Sequence, residues 1–234
     1  MTDTELVTDE EIEAGAPEVG EILAFNRWTS NAHLLTHGLY PLGLIRDDWP
    51  SLDPTYGYGT WWKLRRPEVL LRHDQNPEKA PDGVMDFRDL QYPDGRFLFV
   101  AFDPDYKLRG TPSAAHKGGV DERYGVEDVK GWQKVHADMR AGLTECARVT
   151  AVGGNIAMKM QTQVAGGWNR WQDYEMYEHG LSLGLRLKAR FYMESFRPQP
   201  TANLDGSPRR QATARNNFSV LLVFTKPRAR KVLA

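Results

Sequence analysis

The chain of 234 residues has a single cysteine, Cys146. A lone thiol makes no internal disulfide and no cysteine-based zinc site. No apolar run approaches the roughly 18 residues of a membrane span, so an integral membrane protein is not expected. The first 26 residues contain no Lys or Arg. They lack the basic-then-apolar pattern of a secretory leader, and a cytoplasmic location is expected. The histidines, His33, His37, His73, His116, His136 and His179, do not pair with carboxylates at ligand spacing, so no metal site is expected. Ser182 and Ser195 lack the turn that exposes a serine nucleophile. No segment repeats.

What is present is ordinary in amount and uneven in placement. Charged residues make up 26 % and apolar ones 41 %, which fits a soluble globular chain with one domain. The net charge of −1 hides a polarised sequence. Residues 1–26 hold eight acids, whereas residues 186–231 hold eleven basic residues against two acids, Glu194 and Asp205. Such asymmetry points to a polyanion partner. Residues 1–25 read as an acidic, mobile segment and residues 26–234 as the folded domain. The stretch 26–46 is expected at the domain edge.

Periodicity supplies the elements. Phe97 to Phe102 is a continuous apolar run, as in a central parallel strand covered on both faces. Val69–Leu71, Ile156–Met160, Leu185–Met193 and Phe218–Phe224 are further strand candidates, the last two as an antiparallel pair at a sheet edge. Val84–Leu90 is an intervening strand candidate. Asp48-Trp49-Pro50-Ser51-Leu52 is a poor first strand, because Pro50 removes a ladder donor. Val129, Trp132, Val135, Met139, Leu143 and Cys146 recur at helical spacing, with Gly153 in the stop region. This makes Cys146 a packed core thiol. A second helix is expected over Arg170–His179, ended by Gly180. Strands alternating with helices give an α/β fold. Residues 107–125 and 198–215 read as long loops. Trp168 and Trp171, beside Arg170, have the chemistry to stack on bases, but core packing is their expected role. Asn31 is likewise expected to pack.

Two turns carry chemistry. Asp53-Pro54-Thr55-Tyr56-Gly57-Tyr58-Gly59 has two glycines at a spacing that lets the backbone approach a ligand. Asp74 follows twenty-one residues after Asp53, placed to bind ribose hydroxyls. Phe102-Asp103-Pro104-Asp105-Tyr106 ends the most strand-like run, where side chains face a ligand crevice. Asp86-Phe87 lies between the two.

Taken in order, these motifs resemble the class I S-adenosylmethionine-dependent methyltransferases. More narrowly, they resemble the DNA amino-methyltransferases that act on adenine N6 or cytosine N4, whose catalytic turn is usually Asp/Asn/Ser-Pro-Pro-Tyr/Phe/Trp. Gly153-Gly154-Asn155-Ile156 with Lys159, and Arg209-Arg210-Gln211 through Asn216-Asn217-Phe218, agree with it, so the resemblance spans roughly residues 50–226. It implies a single Rossmann-like domain with a mixed, mostly parallel seven-stranded sheet and helices on both faces. It also implies S-adenosyl-L-methionine as cofactor, held by Asp53, Pro54, Thr55, Gly57, Gly59, Asp74, Asp86 and Phe87. Asp103, Pro104 and Tyr106 would be catalytic. Asp105, Lys107, Arg209, Arg210 and Arg215 would meet the substrate, a nucleic acid and first of all DNA. An RNA-base or protein-amide target, and a silent cofactor-binding module, stay open beside it, as does a homodimer. The chain departs from the family at Asp105, where the second Pro of the turn normally stands.

Overall fold

The computed structural model describes residues 27–28, 30–106, 131–165, 168–194 and 218–228. The acidic segment 1–25, both long loops, and with them Lys107, Arg209, Arg210 and Arg215, lie outside the described residues. The strands are β1 (Arg27–Trp28), β2 (Ser51–Asp53), β3 (Leu70–Arg72), β4 (Phe97–Phe102), β5 (Thr150–Met160), β6 (Gln163–Ala165), β7 (Trp168–Arg170), β8 (Arg186–Glu194) and β9 (Phe218–Thr225). The helices are α1 (Asn31–Leu34), continued as a π-helical turn over Leu35–Leu39, α2 (Trp132–Val149) and α3 (Gln172–Ser182).

The main sheet runs β3-β2-β4-β5-β9-β8-β1, with β6 and β7 forming a separate hairpin. Six strands make its body, and the two-residue β1 adds at one edge. Neighbours are parallel except β9, which is antiparallel to both β5 and β8. The expected β8–β9 pair forms, but β9 lies inside the sheet and not at its edge. The strand Ser51–Asp53 is central and fully buried. Pro50 precedes it, so the missing N–H costs no ladder bond, and its carbonyl accepts from Leu98 N–H at 2.9 Å.

The continuous apolar run of β4 is buried on both faces. Phe97, Val100 and Phe102 pack with Val135, Met139, Leu143 and Cys146 of α2. Phe99 and Ala101 pack on the other side with Leu34, Leu35, Leu39, Trp61 and Trp62. Each fully buried Phe or Leu contributes on the order of 2–3 kcal/mol. The two long helices cover the first face. The second is covered by the short α1 stretch and by tryptophans, and the stretches 54–69 and 73–96 carry 3-10 turns (Thr60–Trp62, Pro77–Lys79) in place of α-helices. Of the stretch expected at the domain edge, Arg27–Trp28 forms the sheet's edge strand, whereas residues 30–46 cover the middle of a sheet face. The first turn of α1 is capped by the Ser30 hydroxyl, which accepts from His33 N–H.

Further expectations are corrected. Val84–Leu90 forms no strand; a single bridge joins Val84 to Asp74. Asp86 bonds the backbone and side chain of Arg88 instead, and this local turn outcompetes a ladder. Helix α2 passes directly into β5 at Thr150, ahead of Gly153. Gly180 lies inside α3, where a Cβ would stand 2.6 Å from Phe224 Cε1, so it serves close packing; the chain leaves the helix at Leu183–Gly184. Trp168 and Trp171 are exposed and not in the core. No helix among the described residues is long and apolar enough to cross a membrane.

Candidate functional site

Strand β2 has β3 on one side and β4 on the other. Connections leaving their carboxyl ends therefore diverge, and a crevice opens between them. Both motif turns sit at its mouth, Asp53 ending β2 and Asp103 following β4.

Asp53 lies beneath the crevice, 3 % exposed. Its carboxyl accepts the Trp62 indole N–H at 2.7 Å and the Thr55 N–H at 3.0 Å. Burial, with Asp103 and Asp74 nearby, still pushes its pKa up to about 7. The turn above it needs its glycines. Gly57 and Gly59 have φ of 56° and 63°, the left-handed region. Gly59 opens the 3-10 turn that carries Trp61 and Trp62. Asp74 ties this turn to the end of β3, accepting Gly57 N–H at 2.9 Å and Asn76 N–H at 2.8 Å.

Asp103 is fixed from four directions. Its N–H donates to Thr55 Oγ1 at 2.9 Å. Its Oδ2 accepts the Trp61 indole N–H at 3.0 Å, with Asn31 Nδ2 and Lys159 Nζ each at 3.5 Å. Consecutive tryptophans thus hold the two strand-end aspartates. Asn31 Oδ1 is buried without a hydrogen-bond partner, an acceptor suited to a donor from outside the chain.

One cleft gathers Pro54, Thr55, Gly57, Asp74, Phe87, Asp103, Pro104 and Asp105, together with Trp61 and, from α2, Val135 and Met139. Gly59 and Asp53 support it without lining it. Asp86 does not line the cleft itself: Arg88 binds it at 2.6 Å, reaches the cleft residue Asp138 at 2.9 Å, and holds the Asp86 carboxyl below the usual carboxylate range. Its neighbour Phe87 stays in the cleft, its ring 5.3 Å from that of Phe102. Tyr106 also does not line the cleft. Its ring packs on the core, its hydroxyl lies 3.5 Å from Ser219 Oγ, and its carbonyl accepts from Gln172 Nε2 at 2.8 Å. Burial raises the pKa of its phenol. Sequence patterns do not single out Trp61 and Trp62; the one signal they offer is two aromatic donors directly after a glycine turn.

No protein-family model matches the chain, and no curated protein matches it in sequence. Solved structures do. A structure of the Haloferax volcanii complex between the Trm112 methyltransferase activator and a putative methyltransferase is 18 % identical, covers 85 % of this chain and 91 % of the other, and has a TM-score of 0.51. A putative methyltransferase from Bacillus halodurans is 12 % identical over 82 % of this chain and 98 % of its own, with a TM-score of 0.55. A putative DNA modification methylase from Thermus thermophilus, solved with S-adenosyl-L-methionine, is 12 % identical over 64 % of this chain and 56 % of its own. Its TM-score of 0.40 is too low to bear on the target. The chain has the class I methyltransferase fold.

Proposed function

We propose that this protein transfers a methyl group from S-adenosyl-L-methionine to an exocyclic amino nitrogen of a nucleic-acid base, adenine N6 of DNA first and cytosine N4 second. The observation that carries this reading is the convergence of the two turns: a glycine turn stapled by Asp74, and an Asp-Pro turn whose carboxylate is pre-aimed by Trp61, in one crevice at the switch point of a methyltransferase fold.

The cleft fits the cofactor's chemistry. The Gly57 turn and Asp74 offer polar groups for a ribose, and Phe87, Val135 and Met139 an apolar wall for a base. Behind the lining, the orphaned Asn31 Oδ1, on the residue whose amide reaches Thr60 and Asp103, is proposed as an acceptor for the ammonium end. When bound, the cofactor supplies an activated sulfonium methyl, so no metal is needed. The chain must make a delocalised amine nucleophilic. Asp103 accepts one amine N–H and the Pro104 carbonyl the other, which keeps the nitrogen lone pair out of the ring. The three donors on Asp103 Oδ2 hold that acceptor still, at no reorganisation cost during reaction. Tyr106, partly buried with its ring against the core, is the proposed stacking partner of the base and supports the turn through Gln172. Lys107, Arg209, Arg210 and Arg215 are proposed phosphate contacts.

The test is incubation with tritium-labelled cofactor and DNA, RNA and protein, followed by nucleoside analysis. Label in N6-methyladenine or N4-methylcytosine of DNA supports the reading. Label in RNA or protein alone moves the target, and no label on any substrate leaves a silent cofactor-binding module, which Asp105 in the turn would favour.

A further inference from the structure

The cofactor cleft takes up only one side of Asp103. It opens between β2 and β4, whereas β5 pairs with β4 on the other side. Lys159 comes from that other side and stands outside the cleft. Phe102 is opposite Met158 in the parallel register, so Lys159 follows at the level of Asp103. Alternation puts both on the sheet face of Phe99, Ala101 and Ala157, which Trp61 and α1 cover. Lys159 Nζ lies 3.5 Å from Asp103 Oδ2, and the two side chains are 12 % and 22 % exposed. Tyr106 stands near both: burial raises its phenol pKa, Lys159 pulls it down and Asp103 pushes it up. An acceptor and a donor thus stand side by side, partly open to solvent, next to the aromatic residue of the turn.

An ammonium at this place has a use beyond steadying Asp103. The amino group of adenine or cytosine sits next to a ring nitrogen, N1 or N3, that carries a lone pair. Such an edge presents a donor beside an acceptor, and a flipped base is read along it. Asp103 supplies the acceptor for the amine. Of the donors around Asp103, the Trp61 indole has one N–H, which goes to Asp103 at 3.0 Å, and Asn31 Nδ2 is divided between Asp103 and Thr60. An ammonium carries three N–H groups and no acceptor.

We propose that Lys159 is a specificity-determining residue: it donates to the ring nitrogen beside the amine, adenine N1 or cytosine N3, while Asp103 takes the amine N–H on that side. This rests on the nucleic-acid reading above and deepens it by naming the edge that is read. The Pro104 carbonyl takes the other N–H, and the cofactor approaches from the opposite side of Asp103. On the same edge guanine and thymine offer a carbonyl beside an N–H, which sets acceptor against Asp103 and donor against Lys159.

The test is single-turnover methylation, by the parent and by Lys159→Met, of oligonucleotides with adenine, 1-deazaadenine or 7-deazaadenine at the methylated position, or cytosine and 3-deazacytosine. Each deaza base keeps the amine and replaces one ring nitrogen by C–H. In the parent, loss of adenine N1 or cytosine N3 is expected to slow methylation about 10- to 100-fold, the worth of a hydrogen bond to a charged group. Loss of N7 should have little effect. In Lys159→Met the preference for the natural base is expected to collapse to near one, with cofactor affinity by calorimetry at the parent value. A lysine that only steadied Asp103 would slow every substrate alike and leave the parent's ratio intact, which overturns the proposal. So does a parent indifferent to the 1-deaza and 3-deaza bases, a result that needs no variant and stands even if Lys159→Met does not fold. Failure of the functional reading is a separate result: the parent places no methyl group on adenine or cytosine of any nucleic acid, and this inference then falls with it.

Discussion

Asp53 should make folding stability depend on pH in a direction opposite to most aspartates. It titrates near pH 7 in the folded chain, against about 3.9 when unfolded. Between those values the native state holds a proton that the unfolded state has lost. Stability is therefore fully present below about pH 4 and is lost as pH rises through 7. Each pH unit in that window removes about 1.4 kcal/mol, or on the order of 4 kcal/mol in all as an upper figure. For a chain of this length that is roughly 8–16 °C in melting temperature. His136 works the other way. Burial, then Arg140 and Arg170, push it down to about 4, so its contribution is lost as pH falls from its unfolded value towards 4. The parent's own curve is therefore shallow, and the readout is the difference between parent and Asp53→Asn. The amide keeps the carboxyl's shape but no titration, and its altered hydrogen bonds to Trp62 and Thr55 only offset the curve. Thermal melts from pH 4 to 8 at fixed ionic strength should show the variant gaining on the parent as pH rises. Parallel curves across that range would refute the reasoning.

Asp103→Ala should abolish methyl transfer while leaving cofactor affinity by calorimetry near the parent value, because its carboxylate acts on the amine; equal turnover would place the chemistry elsewhere. Gly142→Ala adds a Cβ 2.3 Å from Phe102 Cζ and 2.7 Å from Phe87 Cδ2, and should cost about 1–3 kcal/mol. An unchanged melting temperature would deny the close approach of α2 to β4. Asp105→Pro installs the residue usual at this place in the DNA amino-methyltransferases that the turn resembles, and should change the preferred target of an active parent. Gain of activity from an inert parent would instead identify the chain as a silent module.

Local physics makes much of this protein legible in the order of its residues alone. The run Phe97–Phe102 can be a strand only if both faces are covered, and the helical spacing from Trp132 to Cys146 supplies one cover. The order of the two turns tells which strand ends should meet. Tertiary structure decides what contiguous residues cannot encode. A three-residue strand such as Ser51–Asp53 carries too little pattern to be read, and becomes central because β3 and β4 pair on either side of it. Val84–Leu90 has apolar residues enough for a strand, but the Asp86–Arg88 pair turns the chain first. The donors on Asp103 come from Trp61 and Asn31, 42 and 72 residues away in sequence, and from Lys159 at the far side of α2. No local periodicity links such positions. Only the crossing of the chain at the switch point brings their polar groups together, and burial there forces them to pair.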